Sequence, residues 1–351
     1  FAFALSFQIK ANHPQITYYL AMIIVGFGIW QLCKAIKEKA VPAFLRTSAI
    51  VLVAGLLGIA TNINHLWPTY EYAKHTMRGG TELVAEDAAE QSENGKKSRS
   101  GLDIEYATQW SYGIEETMNL MIPNFNGGAS AGALDRSSET YKALKQGGYQ
   151  GAEQIIKQLP LYWGPQPFTA GPMYMGAITI FLFVLGLILC KGREKWWLVA
   201  ATVIAVFLAW GSHFMWFTKL WFNYAPMYNK FRTVSMALTV LQGTLPMLGF
   251  YVLDRILKEK YEKKTMMKAG YIAYGVTAGF CLLCVLIPGI AGSFTGAGDA
   301  GMNEIIIDAL RIDRQTLMTK DALRSLVLIT VVFALILWAF KTPKVDAVGK
   351  N

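Results

Sequence analysis

The sequence predicts an all-α polytopic membrane protein of about seven to eight transmembrane helices, with a large extracytoplasmic loop that carries amphipathic helices. Three observations predict it. Of the 351 residues, 53% are hydrophobic and only 16% charged, against about 25% charged in soluble domains. Seven stretches lack Asp, Glu, Lys and Arg: 15–33, 47–63, 172–190, 196–210, 233–253, 269–294 and 325–340. Each approaches the roughly 20 residues that a hydrocarbon core about 30 Å thick demands of a helix. The connecting segments, finally, alternate in their density of Lys and Arg.

Because lipid offers no partner to backbone N–H and C=O groups, each spanning stretch reads as a helix rather than a strand. The opening "FAFALSFQI" reads as the tail of an eighth helix. With Phe1 in place of an initiator Met and no charged signal-peptide start, the expectation is a fragment of a longer chain. Next comes "NHPQ" at 12–15, a polar knot ahead of an uncharged run. Pro14 suits the first turn of the following helix and Asn12 its cap, so the knot reads as a tight turn. His13 and Gln15, with Tyr18 and Tyr19 below them, also fit a polar wall at headgroup level. The two readings are compatible.

Orientation follows from the basic residues. Segments 34–46, 191–195, 254–268 and 341–351 hold 16 of the 33 Lys and Arg, at roughly three times the density of the rest, and are assigned to the cytoplasm. The net charge of +9 is thereby a topology signal, and a nucleic-acid partner is not expected. The resulting organisation has membrane helices in 1–63 and an extracytoplasmic region at 64–171. Helices in 172–253 surround an aromatic outer loop at 211–232, and a cytoplasmic loop occupies 254–268. Helices in 269–340 carry an outer loop at 295–324, and 341–351 is a cytoplasmic tail. Within 64–171, "SENGKKSRSG" (92–101) and "NGGASAGALDRSS" (126–138) read as mobile loops. The aromatic stretch 106–123 reads as an amphipathic helix on the membrane surface. After a Gly-rich start, the apolar residues of 303–324 recur at helical spacing, so this segment forms a helix leading into the last crossing.

Candidate chemistry gathers on the outer side, where His13, His65, His75 and His213 all fall. In "YNKFRTV" (228–234), Lys230 and Arg232 are cations on the side where the positive-inside rule disfavours them. They suit a lipid phosphate, which Arg holds bidentately, or ordinary snorkelling to headgroups. In "HLWPTYEYAKHTMRGG" (65–80), Glu71 sits among Tyr70, Tyr72 and Arg78, a combination that fits sugar hydroxyls and sugar CH faces and equally an interfacial aromatic belt. Glu115 and Glu116 are sequence neighbours and point apart on a helix, which argues against a carboxylate pair. No HExxH-type pair, phosphate-cradling Gly loop or GxSxG elbow is present. Cys281 and Cys284 mimic a CxxC but lie in an apolar run ("FCLLCVLIP"), where redox or metal chemistry is not expected.

The motifs "ANHPQITYYL", "WPTYEYAKHTMRG", "YATQWSYGIEETMNLMIPNFNGG", "PFTAGPMYMGA", "YNKFRTVS" and "DALRSL", in this order from about Ala11 to about Phe340, resemble the YfhO family of bacterial membrane proteins in its Bacteroidota-like version. The resemblance implies a GT-C-like fold in the bacterial cytoplasmic membrane. It also implies transfer of a sugar from a polyprenyl-phosphate donor to a cell-envelope glycan or lipid acceptor. The catalytic carboxylate is implied to lie in a first outer loop, before Phe1, so that no catalytic residue is assigned here. By position and chemistry, Lys230 and Arg232 fit the donor phosphate, Asn12, His13, Gln15, Tyr18, Tyr19 and Arg78 are candidates for the pocket wall, and Glu71 with Tyr70 and Tyr72 fits sugar or acceptor contact. No metal ligands are assigned, and a divalent cation, Mg or Mn, is the one cofactor admitted. A transporter or flippase of lipid-linked sugars and a non-catalytic assembly subunit are the competing classes.

Overall fold

Helices build nearly everything in the computed structural model, which describes residues 1–76, 101–193, 195–258 and 261–341. Among these residues strand-like pairing is limited to one isolated bridge, Gly132 with Leu159. In chain order the α-helices are α1 (Ala2–Lys10), α2 (Pro14–Lys37), α3 (Val41–Ala60), α4 (Ile63–Lys74), α5 (Ile104–Ala107), α6 (Glu139–Gln146), α7 (Ala152–Ile155), α8 (Ala177–Leu189), α9 (Lys195–Trp210), α10 (Met215–Tyr224), α11 (Leu241–Lys258), α12 (Lys263–Leu286) and α13 (Glu304–Lys341). Six helical stretches are long and apolar enough to span a bilayer: Pro14–Lys37, Val41–Ala60, Lys195–Tyr224, Val234–Lys258, Lys263–Leu286 and Glu304–Phe340. The protein is therefore an α-helical, multi-pass membrane protein. The chain divides into two units, residues 1–111 with 203–240 and residues 112–202 with 241–351.

In the first unit, α1 and α3 approach closely because Gly58 has no side chain. A Cβ there would lie 2.8 Å from the Ala2 carbonyl oxygen. Asn62 ties the same pair, its Nδ2 donating to Ser6 O at 3.1 Å and to Gly58 O at 3.3 Å, while Ser6 Oγ meets Thr61 Oγ1 at 2.7 Å. Small residues and polar ties replace the hydrophobic drive that lipid cannot supply between helices. Most of α3 is exposed, with Leu52 at 65%, and α2 buries only Gln15, Tyr19 and Ala35 while Val25 stands 61% open, which suits surfaces that face acyl chains. Between α9 and α10, Gly211 takes φ 49°. A Cβ there would come within 2.5 Å of Val234 and closer still to Ser111, so only glycine permits this approach.

In the second unit α8 packs against α11, α12 and α13. Gly186 and Gly249 allow α8 and α11 to touch, and Phe333 of α13 stacks on Tyr274 of α12 at 4.9 Å. The expected crossing at 172–190 is helical only over the 13 residues Ala177–Leu189. Residues before Gly176 (φ 104°) are non-helical, and the Tyr174 hydroxyl accepts a hydrogen bond from Ala177 N at 3.0 Å, closing the helix start. At the other end Lys195 Nζ donates to Leu187 O at 2.5 Å, a favourable place for a cation. A helix of 13 residues spans about 20 Å, short of the hydrocarbon core. It is tolerated because neighbouring helices, not lipid, surround it.

Two other expectations are corrected. Residues 106–123 form no single surface helix. They fold as α5 and a 3-10 turn at Glu115–Leu120, and Tyr112, Glu116, Asn119 and Ile122 are buried. The stretch 126–138 is not a free loop, since it pairs backbone to backbone with a later segment. Trp163 N donates to Asn126 O at 3.0 Å, Gly132 and Leu159 exchange bonds at 2.8 Å, and Leu134 N reaches Ile156 O at 2.8 Å. The companion loop expected at 92–101 lies almost wholly outside the described residues. The helix expected over 303–324 is present and continuous with the last crossing, 38 residues in all. Its polar residues clamp the folded region. Asp313 accepts from Thr140 N at 2.8 Å and Thr140 Oγ1 at 2.6 Å. Asp321 accepts from Asn124 Nδ2 at 2.6 Å. Arg314, fully buried, pairs with Asp299 at 2.6 Å.

A candidate cationic site where the start of α2 meets residues 227–233

Two segments that the sequence marks separately come together within the first unit. Residues 227–233 are bracketed by Met227 (φ 62°) and Thr233 (φ 61°), both left-handed without being glycine. Each such residue costs on the order of 1–3 kcal/mol and persists only where its surroundings impose it. Here three backbone bonds impose it: Leu102 N to Asn229 O at 2.9 Å, Thr233 N to Ala107 O at 3.1 Å and Ser235 N to Trp110 O at 3.3 Å. α5 is itself fixed by Asp103, whose Oδ1 accepts from Glu105 N at 2.8 Å and Tyr106 N at 3.2 Å, as an N-cap does.

Gln15 makes the junction. Buried in the first turn of α2, its Nε2 donates to Arg232 O at 2.8 Å, to Thr233 O at 3.3 Å and to Tyr19 Oη at 3.2 Å. Pro14 stands at the start of α2 as expected, whereas His13 rather than Asn12 holds the cap position. Asn12 instead makes the turn, exposed and at φ 55°. His13 presents a buried Nδ1 that finds no hydrogen-bond partner among the described residues.

Aromatic rings floor the junction. Tyr18 lies 5.2 Å from Phe231 and 6.4 Å from Tyr228, and Trp221 lies 6.3 Å from Tyr228 between ring centres. Tyr228 is 2% exposed. Burial, reinforced by Tyr19 and Tyr18, raises its pKa well above the ordinary tyrosine value, so the phenol stays neutral. Lys230 is half-buried, and that burial lowers its pKa. The exposed Arg232 donates to Tyr106 Oη at 2.7 Å, with its guanidinium carbon 5.9 Å from the Tyr106 ring centre. The Tyr106 hydroxyl thus orients Arg232. The arrangement therefore offers a cationic edge on an aromatic floor, which suits a phosphate attached to an apolar or sugar moiety.

The α4 candidates are placed differently. Glu71 pairs with Lys74 of its own helix at 2.9 Å, and Tyr70 and Tyr72 are 59% and 73% exposed. Arg78 lies outside the described residues. Glu116 has a buried setting of its own, accepting from Gly113 N at 2.7 Å and Tyr162 Oη at 2.7 Å. That is the environment of a satisfied structural carboxylate. Burial, then Glu116, raises the pKa of both Tyr112 and Tyr162. Among the described residues no three His, Cys, Asp or Glu side chains gather closely enough to hold a metal ion. Tyr106, Tyr228 and Phe231 are the site residues that sequence reasoning passed over. Tyr228 and Phe231 sat in plain view beside Lys230 and Arg232, where only the cations drew notice.

No protein-family model, curated protein or solved structure matches the chain.

Proposed function

We propose that this protein belongs to a membrane glycosyltransferase system of the bacterial cytoplasmic membrane. It transfers a sugar from a polyprenyl-phosphate donor to a cell-envelope acceptor on the outer face. The observation that carries the reading is the junction made by Gln15, which binds the motif "NHPQITYYL" to the motif "YNKFRTV" across 217 positions of sequence. Both motifs belong to the set that resembles the YfhO family, and together they present Lys230 and Arg232 beside Tyr18, Tyr228 and Phe231. In the reaction the acceptor hydroxyl attacks the anomeric carbon, the bond from that carbon to the phosphate oxygen breaks, and a base takes the hydroxyl proton. Lys230 and Arg232 stabilise the charge that collects on the departing phosphate. The base is assigned to none of the residues in hand.

A flippase for the same lipid is the second reading. Its support is the 3-10 turn Val234–Val240 at the head of the span that runs to Lys258, together with Pro246 inside α11, since broken helices mark transport paths. Pro288 lends it nothing, because it follows the end of α12 instead of interrupting it.

Mass spectrometry of lipids that co-purify with wild type and with Arg232→Ala tests the site. A polyprenyl-phosphate sugar present in the first and depleted in the second is the expected result. Bulk phospholipid alone in both reduces Arg232 to a headgroup anchor and removes the donor site. A transfer assay on the same preparations then separates enzyme from flippase.

A further inference from the structure

α4 is a 12-residue helix in which no residue is buried. Isolated helices shorter than ~12–15 residues are marginal in water, and the described residues cover this one only in part, at Leu66, Glu71 and Ala73. Its residues sort by face. Ile63, Leu66, Trp67 and Tyr70 recur at the i, i+3, i+4, i+7 spacing of one stripe, while Asn64, His65, Thr69 and Glu71 fall to either side of it. Within the stripe Ile63 at 52%, Trp67 at 61% and Tyr70 at 59% stand open, and Leu66 is half-buried. Trp67 and Tyr70 adjoin, ring centres 6.4 Å apart, and Lys74 Nζ lies 4.6 Å from the centre of the Tyr70 ring.

Chain continuity says what covers the stripe. α3 crosses the bilayer and ends at Ala60, and only Thr61 and Asn62 separate it from Ile63. Asn62 is fixed there by its bonds to Ser6 of α1. The stripe consequently begins at the level of the lipid headgroups. We propose that α4 is an interfacial helix whose Ile63–Leu66–Trp67–Tyr70 face is seated in the boundary between headgroups and acyl chains. Trp and Tyr favour that depth because one end of each ring system is apolar and the other wet, and an apolar helix face enters about 5–10 Å into this layer. Lys74 and His75 close the helix with groups suited to lipid phosphate. Pro68, away from the stripe, leaves the Asn64 carbonyl without its helix partner, which water supplies on that side. Tyr70 is thereby a lipid contact, while Glu71 and Tyr72 point elsewhere. The inference does not depend on the transferase reading.

The test uses the full chain in phosphatidylethanolamine–phosphatidylglycerol nanodiscs, with Cys33→Ser removing the exposed native thiol. Single nitroxide labels are placed in turn from Ile63 to Tyr72, and collision rates with oxygen and with a water-soluble nickel chelate are measured. The expected oxygen-to-nickel ratio oscillates with a helical period and is several-fold higher at 63, 66, 67 and 70 than at 64, 65 and 71. Uniform nickel access means that α4 stands in water, and uniform protection from both reagents means that protein covers it. Either result overturns the proposal. The period across the set decides the matter, so the loss of one poorly folding variant does not.

Discussion

Lys230 shows how a single residue sets the pH limits of the proposed donor site. There its ammonium would bind phosphate only while protonated, and partial burial lowers its pKa from the ordinary lysine value. Retention of a phosphate-bearing lipid therefore falls as pH rises through that lowered value, earlier than the ordinary lysine pKa of about 10.4 would allow. The sign for folding is opposite. Below the lowered pKa the native state holds a proton that its surroundings disfavour, and this penalty fades as pH climbs through the folded value toward the unfolded one. Because arginine stays protonated throughout, Lys230→Arg should hold the lipid at alkaline pH where wild type releases it. Mass spectrometry of retained lipid across an alkaline series reads the difference. An identical alkaline loss in both proteins would remove Lys230 from the site. The cation itself was legible in the sequence, being a basic residue where loop statistics disfavour one. Its setting was not, because the burial comes from a turn held by residues more than a hundred positions away.

At the scale of the element, α13 is the more instructive helix. Its helical spacing and its apolar run could each be read from the sequence, which is why the continuous helix was foreseeable. What its charges do was not, because Asp313, Arg314 and Asp321 find partners near residues 124, 140, 160 and 299. Residues 106–123 failed for the related reason that a pattern suited to a membrane surface suits equally a buried one when Tyr162 and Gln166 arrive to satisfy Glu116. Arg314 is the anchor of the region. Its guanidinium is fully buried, donates to Asp299 through both terminal nitrogens at 2.6 and 2.9 Å and to Phe294 O at 2.8 Å, and also reaches Pro160 O. Replacing such a pair with apolar groups can be neutral, whereas removing one partner strands the other charge and costs about 3–5 kcal/mol. Arg314→Met should accordingly lower the melting temperature in detergent by many degrees, followed by tryptophan fluorescence, and Arg314→Met with Asp299→Leu should recover a substantial part. A single variant that melts with wild type would show that the pair does not anchor α13.

Over the whole molecule the clearest regularity is charge placed against hydrophobic length. The six spanning stretches and the short α8 leave basic segments at 34–46, 191–195, 254–268 and 341–351, and every intervening segment is poorer in Lys and Arg. Because short basic loops resist translocation, this alternation is the ground on which we propose one orientation. Residues 126–134 pair backbone to backbone with 156–163. The same region has a small core around Leu144, Leu159 and Leu310. The prediction is that residues 101–171 face the outside and 254–268 the cytoplasm. Ala133 and Lys264, both exposed, are suitable reporters. With Cys33→Ser as background, Ala133→Cys should react with a membrane-impermeant maleimide in intact spheroplasts, and Lys264→Cys only after permeabilisation. The reverse pattern would invert the topology and leave Lys230 and Arg232 on the cytoplasmic side. That placement is incompatible with transfer on the outer face, so the labelling experiment bears on the proposed function as directly as it does on the fold.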